Sequence, residues 1–381
     1  MEPATNTCDC AIIGGGLAGL CLAIQLAEND VDVILFEKNE YPFHKVCGEY
    51  ISTESRYFLE RLGLPFHELS LPVIHELGIS SEKGFMLDHR MKSGGFGISR
   101  YTLDHLLSQI AQRNKVRIVQ NCKVNLVHNR DKGTQHIETS QGSFYAEIVC
   151  GTYGKYTPSF VQKNQEYKMT GHTADKNFIG VKYHIRTDLA VDRIELHNFH
   201  DGYCGISKVD QDWYCLCYLT TAENLNRNGK DIKAMEQNVL YKNPWLKSYF
   251  SDSEFVQTQP LAISNIQFHK KQTNVGEMFL LGDAAGSITP LCGNGMSMGM
   301  RASSLLSPLL DSYFKGKIPL SKVSADYNYA WNAAFRKRIT TGYYLQNLFG
   351  KKNTTHVALK VLAKFPGVMN KLVALTHGDE F

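Results

Sequence analysis

The stretch Cys10-Ala11-Ile12-Ile13-Gly14-Gly15-Gly16-Leu17-Ala18-Gly19 decides how the rest of the chain is read. Four mainly apolar residues run straight into G-x-G-x-x-G, and an apolar segment, Leu17 to Glu28, follows at once. That order specifies a buried strand from Cys8 to Ile13, a tight turn and a helix, and Val31 to Glu37 supplies the second strand of a βαβ unit. A parallel sheet with a right-handed crossover follows. Gly14 permits the turn, Gly16 admits the backbone to a pyrophosphate, and Gly19 lets the helix pack on the strand. Leu17 and Ala18 open that helix, whose free N–H groups and dipole favour negative charge. Glu37 closes the second strand about 20 residues on, where an acid accepts from the ribose hydroxyls of an adenosine. Lys38, next to it, faces either the phosphates or solvent.

Outward from this unit, Leu103, Leu106, Leu107 and Ile110 recur at helical spacing, and Val116 to Val119 reads as another strand of the same sheet. Between Phe178 and Leu219 the pattern changes to short alternating strands: Phe178 to Val181, Arg193 to Leu196 and Trp213 to Leu216. Met278 to Gly282 returns to the buried-strand style, and helical periods run from Ser324 to the end. The organisation expected is a discontinuous nucleotide-binding domain (1–70, 98–158 and 260–320), an inserted antiparallel-sheet domain for substrate (71–97 and 159–259), and a helical region (321–381).

The composition narrows the function by exclusion. The chain has 381 residues, 43% of them hydrophobic and 20% charged, as ordinary globular proteins have. A net charge of +4 makes no case for nucleic acid. No apolar run approaches the roughly 20 residues of a transmembrane segment, and no signal-peptide order opens the chain. A cytoplasmic location is the default expectation. The ten cysteines lack zinc-ribbon spacing and sit mostly in apolar periodic stretches, so no metal site is expected and free thiols in a reducing compartment are.

The glycine turn alone does not separate FAD from NAD. Phe279-Leu280-Leu281-Gly282-Asp283 ends a strand in an acid at the sheet's carboxyl edge, where it suits a polyol such as the ribityl chain of a flavin. Gly293-Asn294-Gly295-Met296-Ser297, after Pro290, opens a further helix whose N–H groups suit the negative edge of reduced isoalloxazine. Two more segments stand out: Tyr41-Pro42-Phe43-His44-Lys45-Val46-Cys47-Gly48-Glu49, and Ser99-Arg100-Tyr101-Thr102-Leu103-Asp104.

Taken together, these segments resemble the flavoprotein family of para-hydroxybenzoate hydroxylase-type monooxygenases and geranylgeranyl reductases, over Cys10 to about Phe349. The resemblance implies a Rossmann-like FAD-binding domain with a glutathione reductase-type parallel sheet, the inserted substrate sheet and C-terminal helices. It implies that Arg100 and Lys45 reach the cofactor, that Asp283 holds the ribityl chain, and that Val124 meets the adenine through its backbone. Gly293, Gly295 and Met296 would face the ring. Cys47 would lie beside the isoalloxazine, either as a proton donor or as a small residue in a tight space.

One departure matters. Where many hydroxylases of this fold carry G-A-D-G, this chain has Gly151-Thr152-Tyr153-Gly154, so Tyr153 replaces an aspartate that assists NAD(P)H use. NAD(P)H is thereby left open, with an external electron donor as the other expectation. The function expected is an FAD-dependent oxidoreductase of monooxygenase type on an apolar, aromatic or isoprenoid molecule. Geranylgeranyl reductase-like saturation of carbon–carbon double bonds is the alternative, and a non-catalytic flavin-binding protein a third. Three scattered tryptophans give no halogenase signature. His197 and His200 show no carboxylate partner in the pattern, Arg336-Lys337-Arg338 reads as the solvated face of a helix, and Tyr203 to Ile206 and Trp213 to Tyr218 as a wall of the substrate cavity.

Overall fold

The strand Thr7–Ile13 lies between Val33–Phe36 and Gly142–Gly151, parallel to both, with Cys10 opposite Val33 on one side and Ile148 on the other. Its apolar run is buried on both faces, as a central parallel strand requires. Arg117–Val119 extends the sheet beyond Val33–Phe36, and Met278–Leu280 extends it beyond Gly142–Gly151. An antiparallel meander, Val124–Asn129 and Gln135–Thr139, joins the outer part of Gly142–Gly151. The helices Leu17–Ala27, Arg100–Arg113 and Gly295–Phe314 pack with this sheet around one core that includes Leu20, Ile24, Leu103, Leu107, Met300 and Leu306. This computed structural model describes residues 6–381 apart from 130–132, 168–176, 267, 269, 270, 290–292 and 377. Pro290 and Cys292 therefore lie outside the described residues.

A second sheet of nine strands carries the region of alternating pattern. Its strands pair antiparallel except Arg193–Phe199 with Val73–Ser80, which run parallel. Tyr50–Ser52 and Leu261–Ile266 also pair into this sheet, beyond the 71–97 and 159–259 limits expected for it. Alternation along Phe178–Arg186 sorts its two faces. Ile179, Val181, Tyr183 and Ile185 pack on the helices Ile232–Val239 and Pro244–Asp252 through Met235, Val239 and Leu246. Gly180, Lys182 and His184 face the other way, toward the nucleotide domain, where a Cβ on Gly180 would lie 3.2 Å from Val46 and Lys182 meets Lys45 and Glu49.

The chain ends in three helices, Leu320–Leu348, Lys352–Leu362 and Pro366–Thr376. The first buries Tyr327, Trp331 and Phe335 in the nucleotide-domain core. Arg338, expected on a solvated face with Arg336 and Lys337, is instead buried and paired with buried Glu54 at 3.2 Å. A helix that docks one face on a core carries a basic residue inward wherever a buried carboxylate awaits it. Arg336 and Lys337 are exposed as expected.

Candidate functional site

The glycine turn has the geometry its residues dictate. Gly14 sits at φ +110°, and a Cβ there would lie 2.6 Å from the Thr152 carbonyl oxygen. A Cβ on Gly19 would lie 2.2 Å from the Gly14 oxygen, so helix and turn touch backbone to backbone. The Gly15 N–H donates to Glu37 Oε2 at 2.9 Å, while Asn39 donates to Oε1 through its N–H at 3.0 Å and its Nδ2 at 2.9 Å. Glu37 thus holds the loop, and Oε2 keeps a lone pair for a hydroxyl. Tyr41 closes the other side by donating its hydroxyl to the Gly15 carbonyl.

Two cations converge on this turn. A Cβ on Gly16 would lie 3.8 Å from Arg100 Nη2 and 3.9 Å from Lys45 Nζ. Asp104 fixes both: Arg100 donates to it through Nε and Nη2, each at 2.8 Å, and Lys45 Nζ lies 2.9 Å from Oδ2. Burial alone would raise the Asp104 carboxyl, yet Arg100 and Lys45 hold it below the usual carboxylate range. The helix that carries Arg100 is itself anchored. Ser99 caps it, accepting from the Thr102 N–H at 3.2 Å, and Asp210 of the second sheet accepts from Ser99 Oγ at 3.0 Å. One carboxylate against two cations leaves a net positive charge facing the glycine turn.

A second helix start adjoins the first. Cβ atoms placed on Gly282 and Gly299 would lie 3.3 Å and 3.6 Å from the Ala18 methyl, so Leu17–Ala27 and Gly295–Phe314 pack closely near their first turns. Neither helix carries a side-chain N-cap, which leaves first-turn N–H groups for a ligand. The Ser297 hydroxyl beside them is buried and without a partner among the described residues. Asp283, in the short turn Gly282–Ala284, lines a recess with Gly286, Gly295 and Met298. Lys271 reaches the Asp283 carbonyl at 3.2 Å. These are the features an FAD requires: cations and N–H groups for its phosphates, an acid at the sheet edge, and a second uncapped helix for its ring.

The remaining expected residues fall around this groove. Gly293, at φ +67°, abuts the Tyr50 ring, and half-buried Met296 meets Cys47, with Sγ 3.6 Å from Sδ. Val124 opens the strand opposite Thr139, two residues past Cys122, whose N–H donates to the Glu37 carbonyl. Lys38 is exposed, the solvent-facing outcome of its two expectations. Tyr153 is half-buried with its hydroxyl unpartnered among the described residues.

The pattern did not single out a buried charge cluster behind Cys47. Glu49, at φ +56°, hydrogen-bonds Lys182 Nζ, lies 2.7 Å from His184 Nε2 and accepts from the Arg100 N–H at 2.8 Å. Lys182 also donates to the Lys45 carbonyl at 3.2 Å, and Cys215 Sγ to the Cys47 carbonyl at 3.2 Å. Burial alone would raise Glu49, but the His184 hydrogen bond and the Lys182 charge hold it below its ordinary value. The available signal was a lysine and a histidine two apart on a strand otherwise apolar. His197 and His200 do have carboxylate neighbours: His197 Nε2 is 3.0 Å from Glu195 Oε2, and His200 Nε2 is 3.4 Å from Asp201. Glu195 and His197 are two apart on one strand, so alternation puts them on the same face.

Facing the Val46–Cys47 segment, the inner face of the second sheet carries small residues: Gly205 lies opposite Cys217, and Gly180 opposite Leu219, two positions along the same face. Tyr203, Leu219, Ile266, Leu196 and Phe178 form an apolar cluster next to them. Tyr214, Leu216 and Tyr218, expected on this wall, face the helices instead, because strand alternation sends them to the other side. Trp213 stacks on His184, with centroids 5.2 Å apart.

Residues 7–321 match the model of the FAD binding domain family. The chain belongs to that family. FAD is its cofactor and FAD-dependent oxidoreduction its activity. The flavoprotein is 24% identical over 361 residues to conditioned medium factor receptor 1 of Dictyostelium discoideum, covering 86% of this chain and 68% of that one. It is also 24% identical over 347 residues to the FAD-dependent monooxygenase prhF of Penicillium brasilianum, covering 80% and 70%. Among solved structures, flavin-dependent brominase Bmp2 superposes with TM-score 0.78 at 14% identity, covering 97% of this chain and 93% of that chain, a likeness of fold. The monooxygenase relative favours oxygenation over geranylgeranyl reductase-like saturation.

Proposed function

We propose that this flavoprotein oxygenates an apolar, aromatic or isoprenoid small molecule held between the FAD ring and the inner face of the second sheet. The observation that carries this reading is the apolar wall of Tyr203, Leu219, Ile266 and Leu196 beside the small residues Gly180, Gly205 and Cys217, on the sheet face that meets the Val46–Cys47 segment. When bound, FAD supplies electron transfer and the reactivity of its reduced form toward oxygen.

The chain's own residues do the rest. Arg100 and Lys45 take the pyrophosphate, with Gly14, Gly16, Leu17, Ala18 and Gly19 offering backbone approach. Glu37 takes the adenosine ribose and Asp283 the ribityl hydroxyls, with Val124 beside the adenine and Lys38 outside the contact. Gly293, Gly295 and Met296 present the second helix start to the ring, whose negative charge on reduction it favours. Cys47 lines the chamber next to Met296 as a small residue; an oxygenation needs no proton from it to carbon.

Tyr153 stands where related hydroxylases keep an aspartate, which supports an external electron donor over direct NAD(P)H use. The unbridged buried pair Cys10 and Cys150, with sulfurs 3.9 Å apart, suits a reducing, cytoplasmic setting. No helix among the described residues is long and apolar enough to cross a membrane.

Chemically reduced holoenzyme, given labelled oxygen and a panel of prenylated phenols, tests the reading by mass spectrometry. The expected product carries one labelled oxygen atom. A product gaining two hydrogens at a double bond and no oxygen would overturn it in favour of saturation.

A further inference from the structure

The net charge of +4 conceals a strong asymmetry. Residues 327–378 contain eight lysines and arginines and no aspartate or glutamate, so the remainder of the chain is net acidic. Within this stretch the last two helices show two apolar faces each. Leu359 and Leu362 of Lys352–Leu362, and Met369 and Val373 of Pro366–Thr376, pack inward toward the strand Met86–Gly97 with Leu87 and Met91. On Lys352–Leu362, Val357 and Val361 lie on the side opposite Leu359; Phe365 sits at the turn, and Val368 and Leu375 share one stripe of the final helix. These five side chains are between 46% and 59% exposed. Lys351, Lys352, Lys360, Lys364 and Lys371 surround them, all exposed.

We propose that this face docks the enzyme on an anionic lipid surface. Exposed apolar side chains among lysines, of which only Lys352 pairs with an acid (Glu82, 3.2 Å), match an acyl boundary beneath negative headgroups. A nucleic acid would take the charges but leave Val357, Val361, Phe365 and Val368 without a partner. The face also adjoins the substrate wall. The Gly350 carbonyl accepts from the Asp201 N–H at 2.8 Å, and the hairpin holding Asp201 leads directly into Tyr203. Phe349 packs in one cluster with Leu196, which in turn lines the wall with Tyr203. A membrane-dissolved apolar molecule would therefore meet the enzyme near its chamber.

Sedimentation of the FAD-loaded full chain with phosphatidylcholine vesicles, with and without phosphatidylserine, tests the proposal, and bound flavin absorbance confirms folding. Binding is expected only with phosphatidylserine, weakening as salt rises. The double variant Lys360→Glu/Lys364→Glu should lose at least about tenfold in binding, and Val361→Ser/Phe365→Ser a comparable factor, both with FAD content unchanged. Equal sedimentation with both vesicle types, or unaltered binding by both variants, would overturn it. So would capture by duplex DNA in place of vesicles, or dimerisation in light scattering that Phe365→Ser abolishes.

Discussion

Two carboxylates, Asp104 and Glu49, lie close together beneath the flavin groove, and they manage their charges in opposite ways. Asp104 meets two cations, Arg100 and Lys45, so its cluster stays net positive and points at Gly16. Glu49 meets Lys182 and His184 and is closed on itself, with all three side chains 1% exposed or less. The first cluster is unfinished without an anion. The second is complete, and ties the second sheet to the segment Lys45 to Glu49 and, through the Arg100 N–H, to the cradle. A surplus of like charge beside uncapped helix ends marks a ligand site, whereas a balanced buried set marks a joint.

The sharpest way to break this distinction is Arg100→Met. It removes the bidentate partner of a buried carboxylate, and should cost about 3–5 kcal/mol of stability, by the rule for broken buried pairs, together with nearly all FAD retention. Thermal unfolding and flavin content after gel filtration check both effects. Lys182→Met should cost a similar stability, since Glu49 keeps only His184, but should leave FAD retention within about threefold. If Lys182→Met empties the flavin site as fully as Arg100→Met, the two clusters are one device and the comparison fails.

A smaller effect separates the joint from a third carboxylate, Glu195. Burial alone would raise it, but hydrogen bonds from His197, Arg193 and Tyr249 lower it to about 2. A carboxyl depressed in the folded state stabilises above its unfolded value, near 4.5, and that stability is lost as pH falls toward 2. Glu195→Gln should therefore flatten the acid limb of the stability curve by on the order of 3 kcal/mol between those pH values. A chemical-denaturation series across that range reads it, and an unchanged slope would contradict it. Smallest of all, Cys47→Ser should keep full FAD content and change turnover by less than about tenfold, since its thiol touches Met296 and carries no expected proton transfer in oxygenation.

Legibility in the sequence followed distance along the chain. The glycine turn, Glu37 and the parallel strands are local patterns of about 25 residues, and the structure has them with ends shifted by one or two positions. Arg100 is legible through its motif, although Lys45, the second cation on Asp104, and Asp210, which anchors the Arg100 helix through Ser99, lie 55 and 110 residues away. The Glu49, Lys182 and His184 joint closes over more than 130 residues, and only the polar pair within Phe178–Arg186 hinted at it. Arg338 was misread because helical period shows that a face exists, not that a carboxylate such as Glu54 waits opposite it. The faces of Tyr214–Thr221 were legible as alternation, yet which face met the flavin depended on where the helices Ile232–Val239 and Pro244–Asp252 packed.

The positive cradle at Gly14 to Gly19 should hold FAD. Unfolding the purified chain and identifying the released small molecule by chromatography tests it most directly. The native protein should release close to one FAD per chain and Arg100→Met almost none. A colourless native protein that takes up no added FAD, or an Arg100→Met variant retaining it in full, would contradict it.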